Sequence, residues 1–299
     1  MVKPINESVI VITGASSGMG RATALELARR GASMVVAARR ASLLEDVAAE
    51  CQKLGGQGMA VPADVTNEAA VQNLAQQTLA RFGRFDVWIN NAGVAAFGRF
   101  EDIPSEVFNR LIETNFLGYV YGARAAMKQF YAQGYGILIN NASMDSQMGA
   151  PYLSAYAASK FAIRGFSECL REEAEALDKM DIQVCTIMPA TIDTPLFQHA
   201  ANYTGRAVKA LPPVYDVETA AKTFVKLIEH PQREVFVGSA GRMMSTLHAV
   251  APGAAEQMYA KQVDKGHLST DQGSPTTAGN LFEPVLEGAS ASGGWKGTK

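Results

Sequence analysis

The chain has 299 residues, 47% of them apolar and 19% charged, which suits a folded core and sets it apart from disordered or fibrous sequences. A net charge of −2 offers no general attraction to nucleic acid or anionic membrane, and no apolar run reaches the length that spans a bilayer. The N-terminus shows no basic segment leading into a long apolar stretch, so a cytoplasmic location is expected.

The first element is the β-branched run Ser8 to Ile12, followed by TGASSGMG at 13–20 and then by helical periodicity from Gly20 to Ala28. A strand-to-helix turn of this kind aims free backbone N–H groups and the positive end of a helix dipole at an anion. Its glycines let a pyrophosphate come close to the main chain. Gly14, Gly18 and Gly20 are the expected approach points, with Ser16, Ser17 and Met19 between them. The glycine pattern alone is weak evidence, but the flanking strand and helix supply the context it requires.

Further strand-like runs follow at Ser33 to Ala38, Gly58 to Val61, Phe85 to Asn90, Gly136 to Asn141, Asp181 to Met188 and Arg233 to Val237, which makes seven. Runs such as Ile137-Leu138-Ile139 do not alternate polar with apolar residues, as expected of parallel strands covered on both faces. The expected fold is therefore α/β, a Rossmann-like doubly wound sheet of about seven parallel strands, with ligands in the crevice at their carboxyl ends. No linker divides the first 240 positions, so residues 1–240 are expected to form one dinucleotide-binding and catalytic domain. Residues 241–299 form a C-terminal extension. In it, Met243, Met244, Leu247 and Val250 suggest one face of a short helix, Ala254 to Asp264 a second helix, and the rest an irregular tail. That tail either wraps on the core or is partly disordered, or it covers the active site or clasps a neighbouring subunit.

Cofactor choice is read at the end of the second strand. A fold selecting NAD usually places an acidic residue there, whereas a 2′-phosphate needs a cation. Ala38-Arg39-Arg40 carries no carboxylate, and Arg39 can make charge-assisted contacts, so NADP(H) is expected in preference to NAD(H). Cys51, Cys169 and Cys185 form no CxxC pair, and the four histidines lack ligand spacing, so no metal is expected.

Tyr156 and Lys160 lie four apart in Ser154 to Arg171, a segment with few breakers, so a helix would place them on one face. An ammonium about 4 Å from a phenol, in an effective dielectric of about 20, favours the phenolate by roughly 4 kcal/mol, or about three pKa units. Ser143, at the end of a strand, offers a hydroxyl to a substrate oxygen. Each of these features alone also suits an ordinary exposed helix or loop.

Together they resemble the short-chain dehydrogenase/reductase family in its compact single-domain branch, over about residues 8 to 240. The resemblance rests on TGASSGMG at 13–20, Asn90-Asn91-Ala92-Gly93, Asn115, Ser143 and Tyr-Ala-Ala-Ser-Lys at 156–160. It implies that Tyr156 is the proton donor or acceptor, that Lys160 lowers its pKa and holds the nicotinamide ribose, that Ser143 orients the carbonyl, and that Asn115 supports a water chain to the lysine. Asp64, with Val65 beside it, matches a position that contacts the adenine amine, although read alone it is a turn residue or a helix cap. Asn91, Ala92 and Gly93 are expected along the cofactor, and Pro189, Ile192 and Thr194 near the nicotinamide. The family often has Pro-Gly where this chain has Pro189-Ala190, which leaves the geometry of that loop open. A homodimer or homotetramer through the helices matching Ser105 to Gln133 and Ser154 to Leu177 is also implied.

Substrate walls are expected from Met144 to Leu153 and from Pro195 to Pro213, where Met148, Tyr152, Leu196, Phe197 and Tyr203 make an apolar surface with few fixed charges. This favours a hydrophobic aldehyde, ketone or secondary alcohol. The same side chains would also suit the core of a folded lid. A nucleotide-sensing or structural protein without turnover is the alternative of a different class, and an isomerase or dehydratase using a transient hydride step is a third.

Overall fold

The computed structural model describes residues 3–177, 181–285 and 287–296, so residues 1–2 and 178–180 of the expected catalytic domain, and residues 286 and 297–299 of the extension, lie outside the described residues. In chain order the elements are β1 (Val9–Thr13), α1 (Gly18–Ala28), β2 (Ser33–Ala38), α2 (Ala41–Lys53), β3 (Gln57–Pro62), α3 (Glu68–Phe82), β4 (Val87–Asn90), β5 (Ala96–Phe97), α4 (Ser105–Ile112) and α5 (Gly118–Gln133). There follow β6 (Tyr135–Asn141), α6 (Ser154–Ala176), β7 (Asp181–Pro189), β8 (Ala201–Asn202), β9 (Arg206–Val208), α7 (Val217–Glu229), β10 (Glu234–Val237), α8 (Ser239–Val250), α9 (Pro252–Gly266) and β11 (Leu268–Gly273).

The central sheet has seven strands, all parallel, in the order β10-β7-β6-β4-β1-β2-β3. All seven strand-like runs of the sequence are in it. Successive side chains of β1 point to opposite faces: Ile10 and Ile12 pack with Ala24, Leu27, Leu44 and Phe224 of α1, α2 and α7, whereas Val9 and Val11 pack with Val71, Leu74, Ala126 and Phe130 of α3 and α5. Both faces are covered, which is why the inner strands β1, β4 and β6 do not alternate. Each fully buried Ile or Val contributes about 1.5–3 kcal/mol.

Strand order reverses between β1 and β4, so the loops after these two strands diverge and open a crevice at their carboxyl ends. Thr13 ties the two loops together, its Oγ1 accepting from the Asn91 and Ala92 N–H groups at 3.0 and 3.2 Å. At the other end, the buried Asp86 carboxylate accepts from Val9 N–H at 2.7 Å. Phe85 and Asp86 thus lead into β4 instead of belonging to it.

The extension departs from an irregular tail. After α8 and α9 comes β11, which pairs antiparallel with β9, and the apolar face read for the first helix is only partly buried: Met244 is 5% exposed, but Met243 and Val250 are 66% and 81% exposed. Beyond β11 the chain runs back along the body, exchanging backbone hydrogen bonds between Thr277 and Asn202 and inserting Leu281 among Val94, Ile103, Leu111 and Ala155. No helix of the described residues is long and apolar enough to cross a membrane.

Candidate active site

The glycine loop has the geometry of an anion cradle. Gly14 and Gly18 adopt φ of +67° and +56°, a region side chains disfavour. A Cβ on Gly14 would stand 2.6 Å from Ala92 Cα, and one on Gly20 2.3 Å from the Gly14 carbonyl oxygen. These positions therefore demand glycine for close packing of loop, helix and β4, independently of any ligand. Arg40 braces the same loop, donating to Ser16 Oγ at 2.9 Å and to Ser17 Oγ at 2.8 Å.

One cavity runs along the carboxyl ends of the strands. Its lining contains Gly14, Ser16, Ser17, Gly18, Met19, Gly20, Arg39, Arg40, Asp64, Val65, Asn91, Ala92, Gly93, Pro189, Ile192 and Thr194, every residue the sequence assigned to the cofactor, together with Ser143, Tyr156 and Lys160. Asp64 accepts from the Thr66 N–H and hydroxyl at 3.0 and 2.8 Å and pairs with Arg110 at 3.0 Å. Burial pushes its carboxyl up, but these partners outweigh it and hold Asp64 below the usual carboxylate range. The cap of α3 is Asn67, not Asp64. Ala190 needs no positive φ: Tyr152 is the one non-glycine residue with positive φ among the described residues, and the Ala190 N–H pairs with Val237 O at 2.9 Å.

Tyr156 and Lys160 project from α6 toward the end of β6. The Lys160 ammonium donates to Asn141 O at 2.8 Å and lies 5.5 Å from the centre of the Tyr156 ring. Burial pulls Lys160 down to about 7, with Asp145 opposing. The reading of a phenol lowered by its lysine is corrected. Burial and the Asp145 charge push Tyr156 upward, and its hydrogen bond with Ser143 offsets only part of this. Asn115 does not line the cavity. It sits fully buried in a π-helical turn, Glu113–Leu117, that widens the junction of α4 and α5. Its amide clasps Val94 in both directions, accepting from N–H at 2.8 Å and donating to the carbonyl at 2.9 Å, and this fixes the loop after β4 beside Lys160.

Of the expected substrate residues, Leu196 and Phe197 line the cavity, but Met148, Tyr152 and Tyr203 do not. Met148 is 2% exposed and packs with Ala95, Phe97 and Leu153, Tyr152 turns its hydroxyl to Asp264 of α9 at 3.0 Å, and Tyr203 packs against Val94, Ile103 and Leu281. Met148 is core of the covering layer and the two half-buried tyrosines pack against it, roles that apolar side chains serve as readily as a pocket wall. Among the residues of Met144 to Leu153 and Pro195 to Pro213 that line the cavity, Asp145 is the one acidic side chain. Two extension residues, Tyr259 of α9 and His267 just after it, complete this end of the cavity, His267 lying between the rings of Phe97 and Phe197 with centroids 5.4 Å from each. Burial pushes His267 down to about 4.

The tail closes the other end. Arg39 donates to the carbonyls of Asn280, Leu281 and Phe282, Arg40 to that of Val285, and the Gly18 N–H to that of Ser290. Farther on, the Asp193 carboxylate accepts from Ser292 Oγ, Gly293 N–H and Trp295 N–H. Asn280, Pro284 and Val285 line the cavity, so the tail is a wall of the crevice as well as a wrap on the core. Nothing in its Ser- and Gly-rich composition signals these contacts, most of which are made by main-chain carbonyls and N–H groups.

A doubly wound sheet with a glycine cradle at its switch point, and Ser143, Tyr156 and Lys160 at the far end of one cavity, defines the class of nicotinamide-dependent oxidoreductases. The chain belongs to the short-chain dehydrogenase/reductase family: the family described as short chain dehydrogenase matches residues 8–204. It is 37% identical over 262 residues, 87% of this chain and 73% of the relative, to "Uncharacterized oxidoreductase YxnA" of Bacillus subtilis. It is 31% identical to "Putative oxidoreductase SadH" of Mycobacterium tuberculosis, over 86% of this chain and 95% of that one. Among solved structures, an alcohol dehydrogenase of Thermococcus sibiricus complexed with 5-hydroxy-NADP is 28% identical, with a TM-score of 0.67 over 77% of this chain and 95% of that one. A Burkholderia phymatum family member in complex with NAD shares the fold with a TM-score of 0.77 over 84% of this chain and 96% of that one, at 23% identity. The protein is thus an oxidoreductase of this family that binds NAD(P).

Proposed function

We propose that the protein transfers a hydride between NADP(H) and an aldehyde, ketone or secondary alcohol, with Tyr156 as the proton donor or acceptor. The observation that carries this reading is the convergence of Ser143, Tyr156 and Lys160 on the apolar end of the cavity whose other end holds the glycine cradle and the two arginines. The bound nicotinamide would supply or accept the hydride. Tyr156, kept protonated by burial and by Asp145, is an acid suited to giving its proton to the oxygen of a carbonyl as that oxygen gains charge, and Ser143 is placed to donate to the same oxygen. In the reverse direction the Tyr156 phenolate would accept the alcohol's proton, with the Lys160 side-chain nitrogen 5.5 Å from the ring centre. Leu153, Leu196 and Phe197 exclude water around the reacting carbon.

Arg39 and Arg40, with no carboxylate beside them at the end of β2, support the choice of NADP(H). Resemblance to the family further supports a homo-oligomer. The test is to follow NADPH and NADH oxidation with a panel of aldehydes and ketones, with Tyr156→Phe as the control. Turnover preferring NADPH and reduced about 10²- to 10⁴-fold in the variant is expected. Tight cofactor binding with no turnover across the panel would favour a nucleotide-sensing role.

A further inference from the structure

Hydride transfer as described above leaves a buried carboxylate at the reacting end of the cavity without a task. Asp145 lies two residues beyond Ser143, in the short turn that follows β6, and is 7% exposed. Its Oδ1 accepts from the Tyr259 hydroxyl at 2.6 Å, but its Oδ2 has only the Ser143 hydroxyl, at 3.5 Å. A buried carboxylate oxygen held by so long a contact is poorly satisfied, and Leu153, Leu196 and Phe197 around the cavity carry no side-chain donor for it.

Ser143 cannot mend this during the reaction. Its Oγ already accepts from the Asp145 N–H at 3.1 Å, and a serine has one O–H to give. When that proton turns to the oxygen of a bound carbonyl, Asp145 Oδ2 loses the donor it had. Either Asp145 takes up a proton, or the substrate brings a donor of its own.

We infer that Asp145, held by Tyr259 from the extension, recognises a hydroxyl on the carbon next to the reacting carbonyl, so that α-hydroxy ketones and aldehydes are preferred for reduction and vicinal diols for oxidation. This rests on the hydride-transfer reading and deepens it. The two oxygens of such a substrate, on adjacent carbons, meet two protein groups that are themselves adjacent: the carbonyl oxygen receives from Ser143 and Tyr156, and the neighbouring hydroxyl donates to Asp145 Oδ2. A site built around a buried acceptor penalises the analogue that lacks the hydroxyl, because the acceptor is then left bare.

The preference depends on pH. Burial pushes Asp145 up to about 6, against the hydrogen bonds from Tyr259 and Ser143 and the charge of Lys160. The titratable groups acting with it are Tyr156 and Lys160 from α6 and Tyr259 from α9; α8 and β7 also pack on this turn, but their titratable side chains, Arg242 and His248 on α8 and Asp181 and Cys185 on β7, are not among the groups that shift it. Below about pH 6 the carboxyl is neutral and can donate its own proton to Ser143, and the substrate hydroxyl matters less.

The test compares kcat/KM for 2-hydroxyacetophenone and acetophenone, within a wider panel of such pairs, at pH 7.5 and pH 5, in the wild type and in Asp145→Leu. The hydroxy ketone is expected to lead by tenfold or more at pH 7.5 in the wild type. That lead should shrink at pH 5 and fall at least tenfold in the variant. The wild-type pH comparison needs no variant to fold. A ratio independent of both pH and Asp145 would overturn the assignment of Asp145 and leave hydride transfer standing. Failure of every carbonyl in the panel to oxidise either reduced cofactor would overturn the hydride-transfer reading, and this inference with it.

Discussion

Tyr259 donates a 2.6 Å hydrogen bond to Asp145 Oδ1 across 114 positions of sequence, and so ties the extension to the turn that carries Ser143. The bond matters most when Asp145 is charged. Its folded-state pKa is raised to about 6, above the ordinary carboxylate value, so Asp145 favours the fold fully below the ordinary value and loses that contribution as pH rises through about 6. Removing the Tyr259 donor pushes the carboxyl higher still. Tyr259→Phe is therefore expected to cost about 1.5–3 kcal/mol at pH 7.5 and clearly less at pH 5. Denaturant unfolding at the two pH values measures the difference; an equal loss at both would mean that the phenol only fills space.

Gly14→Ala is expected to disable both folding and cofactor binding. At φ +67° an alanine costs about 1–2 kcal/mol from conformation alone. Its Cβ would also meet Ala92 Cα at 2.6 Å, a backbone atom that cannot swing aside. Thermal unfolding together with fluorescence titration of NADPH checks this: full binding in a stable variant would show that the loop relaxes without harm.

Asn115→Ala separates architecture from chemistry. The amide satisfies both the N–H and the carbonyl of Val94, which is 3% exposed, so the truncated side chain leaves two buried backbone groups unpaired. A loss of about 2–4 kcal/mol is expected in denaturant unfolding. Loss of activity at unchanged stability would assign Asn115 to the proton path instead.

What the sequence made legible was what local patterning encodes. The inner strands of the central sheet stand out most clearly because parallel strands buried on both faces are continuous apolar runs, and the cradle stands out because Gly14 and Gly20 admit no side chain. β5, β8 and β9 are two or three residues long and owe their pairing to distant chain, so nothing in their own sequence marks them. Leu196 and Met148 are both apolar residues near the site. One faces the cavity and the other the core, and composition does not distinguish them. Tyr259 was hidden for a different reason. A single tyrosine in a polar helix acquires its meaning only from the carboxylate it meets after folding.

Arg39 is the residue on which cofactor choice and the tail converge. Its guanidinium donates to three consecutive carbonyls, those of Asn280 at 2.5 Å, Leu281 at 3.2 Å and Phe282 at 3.1 Å, at the point where the dinucleotide fold would place a 2′-phosphate. A dianionic phosphate is a stronger partner for a guanidinium than a neutral carbonyl, so NADPH is expected to draw Arg39 away from the tail and NADH is not. Arg39→Ala is accordingly expected to lower kcat/KM for NADPH tenfold or more, the worth of a charge-assisted contact of about 1.5–3 kcal/mol, with less than a threefold change for NADH. Hydrogen exchange gives an independent readout. Amides around 280–282 should exchange faster in the variant, and faster in the wild type when NADPH is added than when NADH is. If the variant kept its preference for NADPH, Arg40 with Ser16 and Ser17 would be the phosphate ligands, and Arg39 would serve to hold the tail.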